Sequence, residues 1–336
     1  MANDSDKRKV IKALIKSQKV DLVCLQETKM QEMSKKIVRS LGVGRCLGWR
    51  VVNSRGASSG VLVFWVNGVL HLLEVGVGMF LVFRQFKNCE DDFCWIFTRV
   101  YGPALKKERE EFCGELGDVR GLWGGPWCVV GDFNVVRFPV ECSRGGKLTY
   151  SMRRFSEIIE DLKLRDLPLQ GGSYTWRGGL NNQSNSRLDR FLVLENWEGH
   201  FTRVVQCVLP KLVSDHCTIL LDRGGLRKGP TPFRFENMRL KEEGFKDKLQ
   251  AWWEGLSFSG SASFVLGAKL KALKSLLKDW NRNAFRKVEV IKALALNQVE
   301  FWDRVELAWP LVVHELEARR GAKEDFKKWV LLEEIS

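Results

Sequence analysis

Hydrophobic positions in the first two thirds of this 336-residue chain come in short runs separated by polar turn signals. Residues 20–25, 61–66, 79–86, 93–101, 127–130, 188–194 and 216–221 are strand-length runs rich in Val, Ile, Phe and Trp. Two stretches between them change to a helical period. Val10, Ile11, Leu14 and Ile15 share one face of a helix over 7–17, and Met152, Phe155, Ile158, Ile159 and Leu162 share one face of a helix over 151–164. The pattern predicts a mixed α/β domain. A Gly/Pro/basic cluster from Asp222 to Pro232 reads as a linker. Beyond it the period stays helical: apolar residues recur at 266, 270, 273, 276, 277 and 280, a second stretch covers 288–307, and a third follows Pro310 over 315–335.

The 45% hydrophobic content is that of a globular protein, and a chain of this length buries enough surface to fold without disulfides or a structural metal. The longest apolar stretch, 60–73, is interrupted by Asn67 and His71 and is too short to cross a bilayer, so no membrane partner is expected. The polar N-terminus, Asn3-Asp4-Ser5-Asp6-Lys7-Arg8-Lys9, has no signal-peptide pattern, and nine cysteines lie without a CxxC pair. The expected location is nucleus or cytoplasm, not the secreted space. The net charge of +13 is shared by both parts of the chain, +8 over 1–225 and +5 over 226–336. That excess suits a polyanionic partner, or solvated lysines.

Four segments put ionisable residues at the ends of apolar runs, where side chains can emerge into a cleft: Leu25-Gln26-Glu27-Thr28, Gly131-Asp132-Phe133-Asn134, Arg187-Leu188-Asp189-Arg190 and Ser214-Asp215-His216. Each alone reads as a cap or a solvated turn residue. In this order, and with Arg99-Val100-Tyr101-Gly102-Pro103 and Tyr174-Thr175-Trp176 between them, the set resembles the endonuclease/exonuclease/phosphatase superfamily. It is most similar to the apurinic-type endonuclease domain of plant LINE-type (non-LTR) retrotransposons, over nearly all of residues 3–222.

The resemblance implies a DNase I-like four-layer α/β sandwich, two packed mixed β-sheets flanked by helices, over residues 1–224. The 225–336 extension would be a mainly helical connector of the kind that precedes a reverse transcriptase, which is absent here. The implied activity is hydrolysis of DNA phosphodiester bonds with Mg²⁺, or Mn²⁺ in its place, and no small-molecule cofactor. Glu27 would ligate the metal, with Asp215 beside it. Asp132 would orient or deprotonate the attacking water and Asn134 would hold it. His216 would contact the scissile phosphate with Asp189 fixing its ring, and Tyr101 would donate to the phosphate or the leaving oxygen. Arg187 and Arg190 either touch the DNA backbone or pair with acidic neighbours. Most of the thirteen tryptophans read as core and not as base-stacking platforms.

The text departs from the family at its start, where Met1-Ala2 stands in place of a strand carrying a Trp-Asn dipeptide whose Asn serves the metal site. Loss of that strand predicts reduced activity. Two rival readings follow, a non-catalytic DNA-binding remnant and a phosphoesterase acting on small molecules.

Overall fold

The computed structural model describes residues 4–28, 35–41, 47–52, 60–178, 184–201, 203–222, 244–308 and 311–334. Asp4 opens the first helix, α1 (Ser5–Gln18), by accepting hydrogen bonds from the amides of Asp6 and Lys7, and Lys19 closes it in the left-handed region at φ 51°. The apolar face read from sequence is the one α1 buries, through Val10, Ile11 and Leu14. There follow β1 (Leu22–Thr28), α2 (Lys35–Leu41), β2 (Leu47–Val52), β3 (Gly60–Val66), β4 (Leu70–Val77), β5 (Leu81–Asn88), β6 (Cys94–Tyr101), α3 (Arg109–Leu122) and β7 (Trp127–Asp132). Next come α4 (Tyr150–Asp161), β8 (Arg165–Asp166), β9 (Leu169–Gln170), β10 (Trp176–Gly178), β11 (Ser184–Ser186), β12 (Asp189–Val193), α5 (Glu195–His200), β13 (Val205–Val208) and β14 (Ile219–Asp222). The chain ends in α6 (Phe245–Gly255), α7 (Ala262–Ala308) and α8 (Val313–Glu334).

The strands form a six-stranded sheet of order β4-β5-β6-β7-β12-β8, two three-stranded sheets, β1-β3-β2 and β14-β13-β9, and a β10-β11 hairpin. The six-stranded sheet is antiparallel except at β6 and β7, whose parallel pairing is allowed by the α3 crossover. Three apolar clusters define the layers. Phe112, Leu116 and Val119 of α3 and Phe155 and Ile159 of α4 pack on one face of the large sheet against Ile96, Val100, Trp127, Val129 and Leu192. Its other face, carrying Phe86, Trp95, Phe97, Cys128 and Val193, meets Val61, Val63 and Trp65 of β3 and the partly buried Leu22, Cys24, Ile219 and Leu221. Thus both three-stranded sheets cover the same side. Val10, Ile11 and Leu14 of α1 and Val38 and Leu41 of α2 are buried outside β3, where Ile11, Val38 and Leu41 join Leu62 and Phe64. The result is the mixed α/β sandwich of packed sheets flanked by helices, with helices again at the C-terminal end.

Strand β4 and helix α3 are among the elements that escaped the sequence pattern, for physical reasons. The apolar positions of β4 include Leu73, Val75 and Val77, all exposed at an edge, so its buried Leu70 does not continue into an alternating buried face. Glycines 114, 117 and 121 dilute the helical signal of α3. The two amphipathic stretches read on either side of residue 286 are one helix, α7.

The chain forms two compact units, Met1–Arg227 with Glu300–Val312, and Lys228–Val299 with Val313–Ser336. The last turns of α7 thus group with the first unit. In the second unit Phe245 is buried and its ring lies 4.4 Å from that of Trp280, while Ala295 and Val299 of α7 and Ala322, Phe326 and Val330 of α8 are buried at four-residue spacing. Among the described residues no helix is long and apolar enough to cross a membrane.

Candidate active site

Strand register gathers the distant residues. The parallel β6/β7 ladder sets Tyr101 opposite Asp132, and the antiparallel β7/β12 ladder sets Asp132 opposite Asp189, so three strand ends meet at one edge. Close backbone approach there demands glycine. Gly131 has φ 151°, and a Cβ on it would lie 2.0 Å from the Val100 carbonyl oxygen. A Cβ on Gly102 would lie 2.1 Å from the Phe133 carbonyl oxygen, and the Gly102 amide donates to the Asp132 carbonyl at 2.7 Å. Asn134, in the left-handed region at φ 50°, turns the chain sharply after β7. Its amide donates to Asp132 Oδ1 at 2.9 Å and its Nδ2 to the Gly102 carbonyl at 2.8 Å.

His216 completes the group from a loop. Its Nδ1 lies 2.8 Å from Asp189 Oδ2 and its Nε2 lies 3.9 Å from Asp132 Oδ2. Asp132 and Asp189 are buried and His216 is half-buried. Burial alone would push the His216 pKa down, but the Asp189 hydrogen bond and the charges of Asp189, Asp132 and Asp215 outweigh it and raise the value to about 9. The imidazole is therefore an imidazolium at neutral pH, with Nδ1–H held by Asp189. Asp215 is exposed: desolvation opposes its ionisation, yet His216 and hydrogen bonds, among them those from Ser214 Oγ at 3.1 Å and Trp176 Nε1 at 3.3 Å, hold its carboxyl below the usual range.

Tyr101 lies at the end of β6, half-buried, with the Arg99 guanidinium 5.4 Å from its ring centroid. Glu27 belongs to β1 by its backbone; its side chain lies outside the described residues. Among the described residues no group of three or more His, Cys, Asp or Glu side chains is arranged to hold a metal. Asp132, Asp189 and Asp215 surround a single imidazolium, so the cleft carries an excess of carboxylate charge, and carboxylate oxygens are the donors a hard cation takes.

Arg187 and Arg190 are not at the cleft. Arg190 is fully buried; its Nη1 donates to Glu141 Oε1 at 2.9 Å and Asp166 Oδ2 at 2.7 Å, and its Nη2 pairs with Glu141 Oε2. Arg187 donates to Asp166 Oδ1 at 2.6 Å and to the Leu167 carbonyl at 2.9 Å. This network, joined by Arg137 at 3.8 Å from Asp166 Oδ2, fixes the start of β12. Alternation accounts for Arg190, which turns inward next to Asp189 in β12, whereas Arg187 precedes the strand. Of the two readings left open by sequence, pairing with acidic neighbours is what the structure places.

Two residues without a role in the sequence reading support the site. Thr175, fully buried, accepts through Oγ1 from the amides of both Leu188 and Asp189, at 3.0 and 2.9 Å. Trp176 forms a β-bridge with His216 and donates its indole N–H to Asp215. The run Tyr174-Thr175-Trp176 was their only signal in sequence.

The family model described as the endonuclease/exonuclease/phosphatase family matches residues 1–216. No curated protein matches the chain. Among solved structures, the endonuclease domain of TRAS1, a telomere-specific non-LTR retrotransposon, is similar over 67% of this chain and 94% of its own at 14% identity and a TM-score of 0.50. The AP endonuclease LMAP from Leishmania major is similar over 66% of this chain and 84% of its own, at 17% identity and a TM-score of 0.49. The mannosyl-6-phosphatase Bt3783 from Bacteroides thetaiotaomicron covers 66% of this chain and 94% of its own, at 16% identity and a TM-score of 0.46. With a matching model over residues 1–216 and the packed-sheet fold beneath it, the chain belongs to the endonuclease/exonuclease/phosphatase family.

Proposed function

We propose that this protein is a divalent-metal-dependent endonuclease that hydrolyses DNA phosphodiester bonds, of the kind carried by non-LTR retrotransposons. The observation that carries the reading is the Asp189–His216 hydrogen bond at 2.8 Å directed at Asp132, with Asp215 alongside. The basic charge of +13 favours a polyanionic substrate over a small phosphoester.

Asp132, fixed through Oδ1 by the Asn134 amide, accepts a proton from the attacking water through Oδ2. The water is held by Asn134 Oδ1, since Nδ2 is already given to Gly102. His216 points Nε2–H at a nonbridging phosphate oxygen and offsets the charge that develops there, while Asp189 keeps the ring oriented and protonated. Tyr101, at the same strand edge, donates to the leaving oxygen. Glu27 and Asp215 would hold Mg²⁺ or Mn²⁺, which would supply Lewis-acid stabilisation of developing negative charge.

A second reading, a DNA-binding remnant without catalysis, is favoured by one observation. Among the described residues β1 pairs only with β3 and β14 only with β13, whereas the resemblance calls for a further strand with a metal-site Asn. Incubation with supercoiled plasmid and Mg²⁺ separates these. Conversion to nicked circle that EDTA stops supports the endonuclease. Gel retardation without nicking supports the remnant, and hydrolysis of sugar or inositol phosphates without either supports a small-molecule enzyme.

A further inference from the structure

The last turns of α7 lie far along the chain from the motifs, yet they group with the sandwich. Asp303 and Glu306 are three residues apart and so share a helix face. Asp303 Oδ2 accepts the backbone amide of Lys211 at 3.0 Å. Glu306 forms an ion pair with Arg177, and the two side chains are only 9% and 19% exposed. These contacts reach the two chain segments that enclose Asp215 and His216. Lys211 opens the loop that ends in Ser214-Asp215-His216. Arg177 follows Trp176 in β10, and its own backbone amide donates to the Asp215 carbonyl at 3.1 Å. Trp176 in turn reaches Asp215 Oδ2 with its indole and bridges His216. One short helix face thus holds both walls: the β10 wall through a mostly buried charge pair, and the loop wall through a carboxylate on a backbone N–H.

We infer that Asp303 and Glu306 are positioning residues for the active site, so that the working unit is residues 1–227 together with the end of α7. Arg177 is not left to bind phosphate; Glu306 occupies it, and it transmits the position of the helix to Asp215. The loop between Lys211 and His216 has an anchored entry because Asp303 caps it. Exposed ion pairs contribute little, but this one is largely withdrawn from solvent and it acts through alignment, where small displacements carry large rate effects. The catalytic consequence rests on the endonuclease reading above; the structural one does not.

The test uses the full chain with Glu306→Gln, Asp303→Asn and the double variant. Two readouts are taken: the Trp176 indole N–H resonance, assigned by its loss in Trp176→Phe, and nicking kinetics at saturating Mg²⁺. Each single variant is expected to shift or broaden the Trp176 resonance and to lower kcat about tenfold with KM for DNA changed less than about twofold. The exchanged pair Arg177→Glu with Glu306→Arg is expected to recover most of the resonance position and rate that Glu306→Arg alone loses. A Trp176 resonance unchanged in both single variants overturns the inference whatever the activity. A rise in nicking on Glu306→Gln also overturns it, by making the contact inhibitory. If the wild-type chain does not nick, the endonuclease reading fails, and the Trp176 resonance still decides whether the helix positions the site.

Discussion

Asp189→Asn removes the leading favourable contribution to the His216 imidazolium while keeping shape and size. His216 titrates at about 9 in place of 6.5, and that rise is worth about 3 kcal/mol at about 1.4 kcal/mol per tenfold change. Asp189 shares it with Asp132 and Asp215, so the substitution is expected to lower the His216 pKa by at least about one pH unit. Because the folded value is raised, the associated stability is fully present below the unfolded value near 6.5 and is lost as pH rises through about 9. The wild type should therefore exceed Asp189→Asn in stability by about 1–3 kcal/mol at pH 6, and the gap should narrow above pH 9. Nicking should fall by about 10²–10⁴, since the amide can also present the wrong hydrogen-bond partner to Nδ1. The assay is a proton NMR titration of His216 among four histidines, assigned through His216→Ala, with urea melts at pH 6 and pH 9.5. A His216 that titrates at the same pH in both proteins would refute the reasoning.

Other perturbations report on the frame around the site. Arg84 is fully buried on the inter-sheet face and, among the described residues, none of its guanidinium nitrogens has a hydrogen-bond partner; desolvation lowers its pKa to about 10, so it stays charged. Arg84→Met should stabilise the protein by about 1–4 kcal/mol, measured as a higher urea midpoint, and a lower midpoint contradicts this. Gly102→Ala drives a Cβ into the Phe133 backbone and should cost about 2–4 kcal/mol and most of the activity, whereas Gly114→Ala in α3, with open space around it, should be neutral or mildly stabilising. Arg190→Ala removes the bidentate partner of the partly buried Glu141 and one of the two arginines that donate to Asp166, and should cost about 3–5 kcal/mol by thermal melt. Glu141, held below the usual carboxylate range by Arg190 despite its burial, makes wild-type stability fall as pH drops through its folded value, and that slope should flatten in the variant.

What was legible in sequence follows from what burial writes into it. The faces of α1 and α4 and the runs of β3, β6 and β7 are continuous apolar signals because those elements are covered on at least one side. Edge strand β4 lacks such a signal, and in α3 the apolar positions Phe112, Leu116 and Val119 are diluted by glycines. At the site, Asp132, Asn134, Asp189, Asp215 and His216 stood in short strand-end motifs, and register alone then brings Asp132 and Asp189 face to face. Thr175, Trp176 and the Glu141–Asp166 pair were not assigned roles because their work is to hold backbone and guanidinium groups in place, and no spacing announces such contacts. The same holds for Asp303 and Glu306, which look in sequence like two solvated charges on an amphipathic helix.

The central claim is that Asp132, Asp189 and His216 form one phosphodiester-cleaving centre. Its most direct measurement is the Mg²⁺-dependent nicking rate of supercoiled plasmid by the wild type, Asp132→Ala and His216→Ala, with circular dichroism matched among the three. The account predicts nicking by the wild type and a loss of at least about 10² in each variant. Folded variants that nick at the wild-type rate would contradict it.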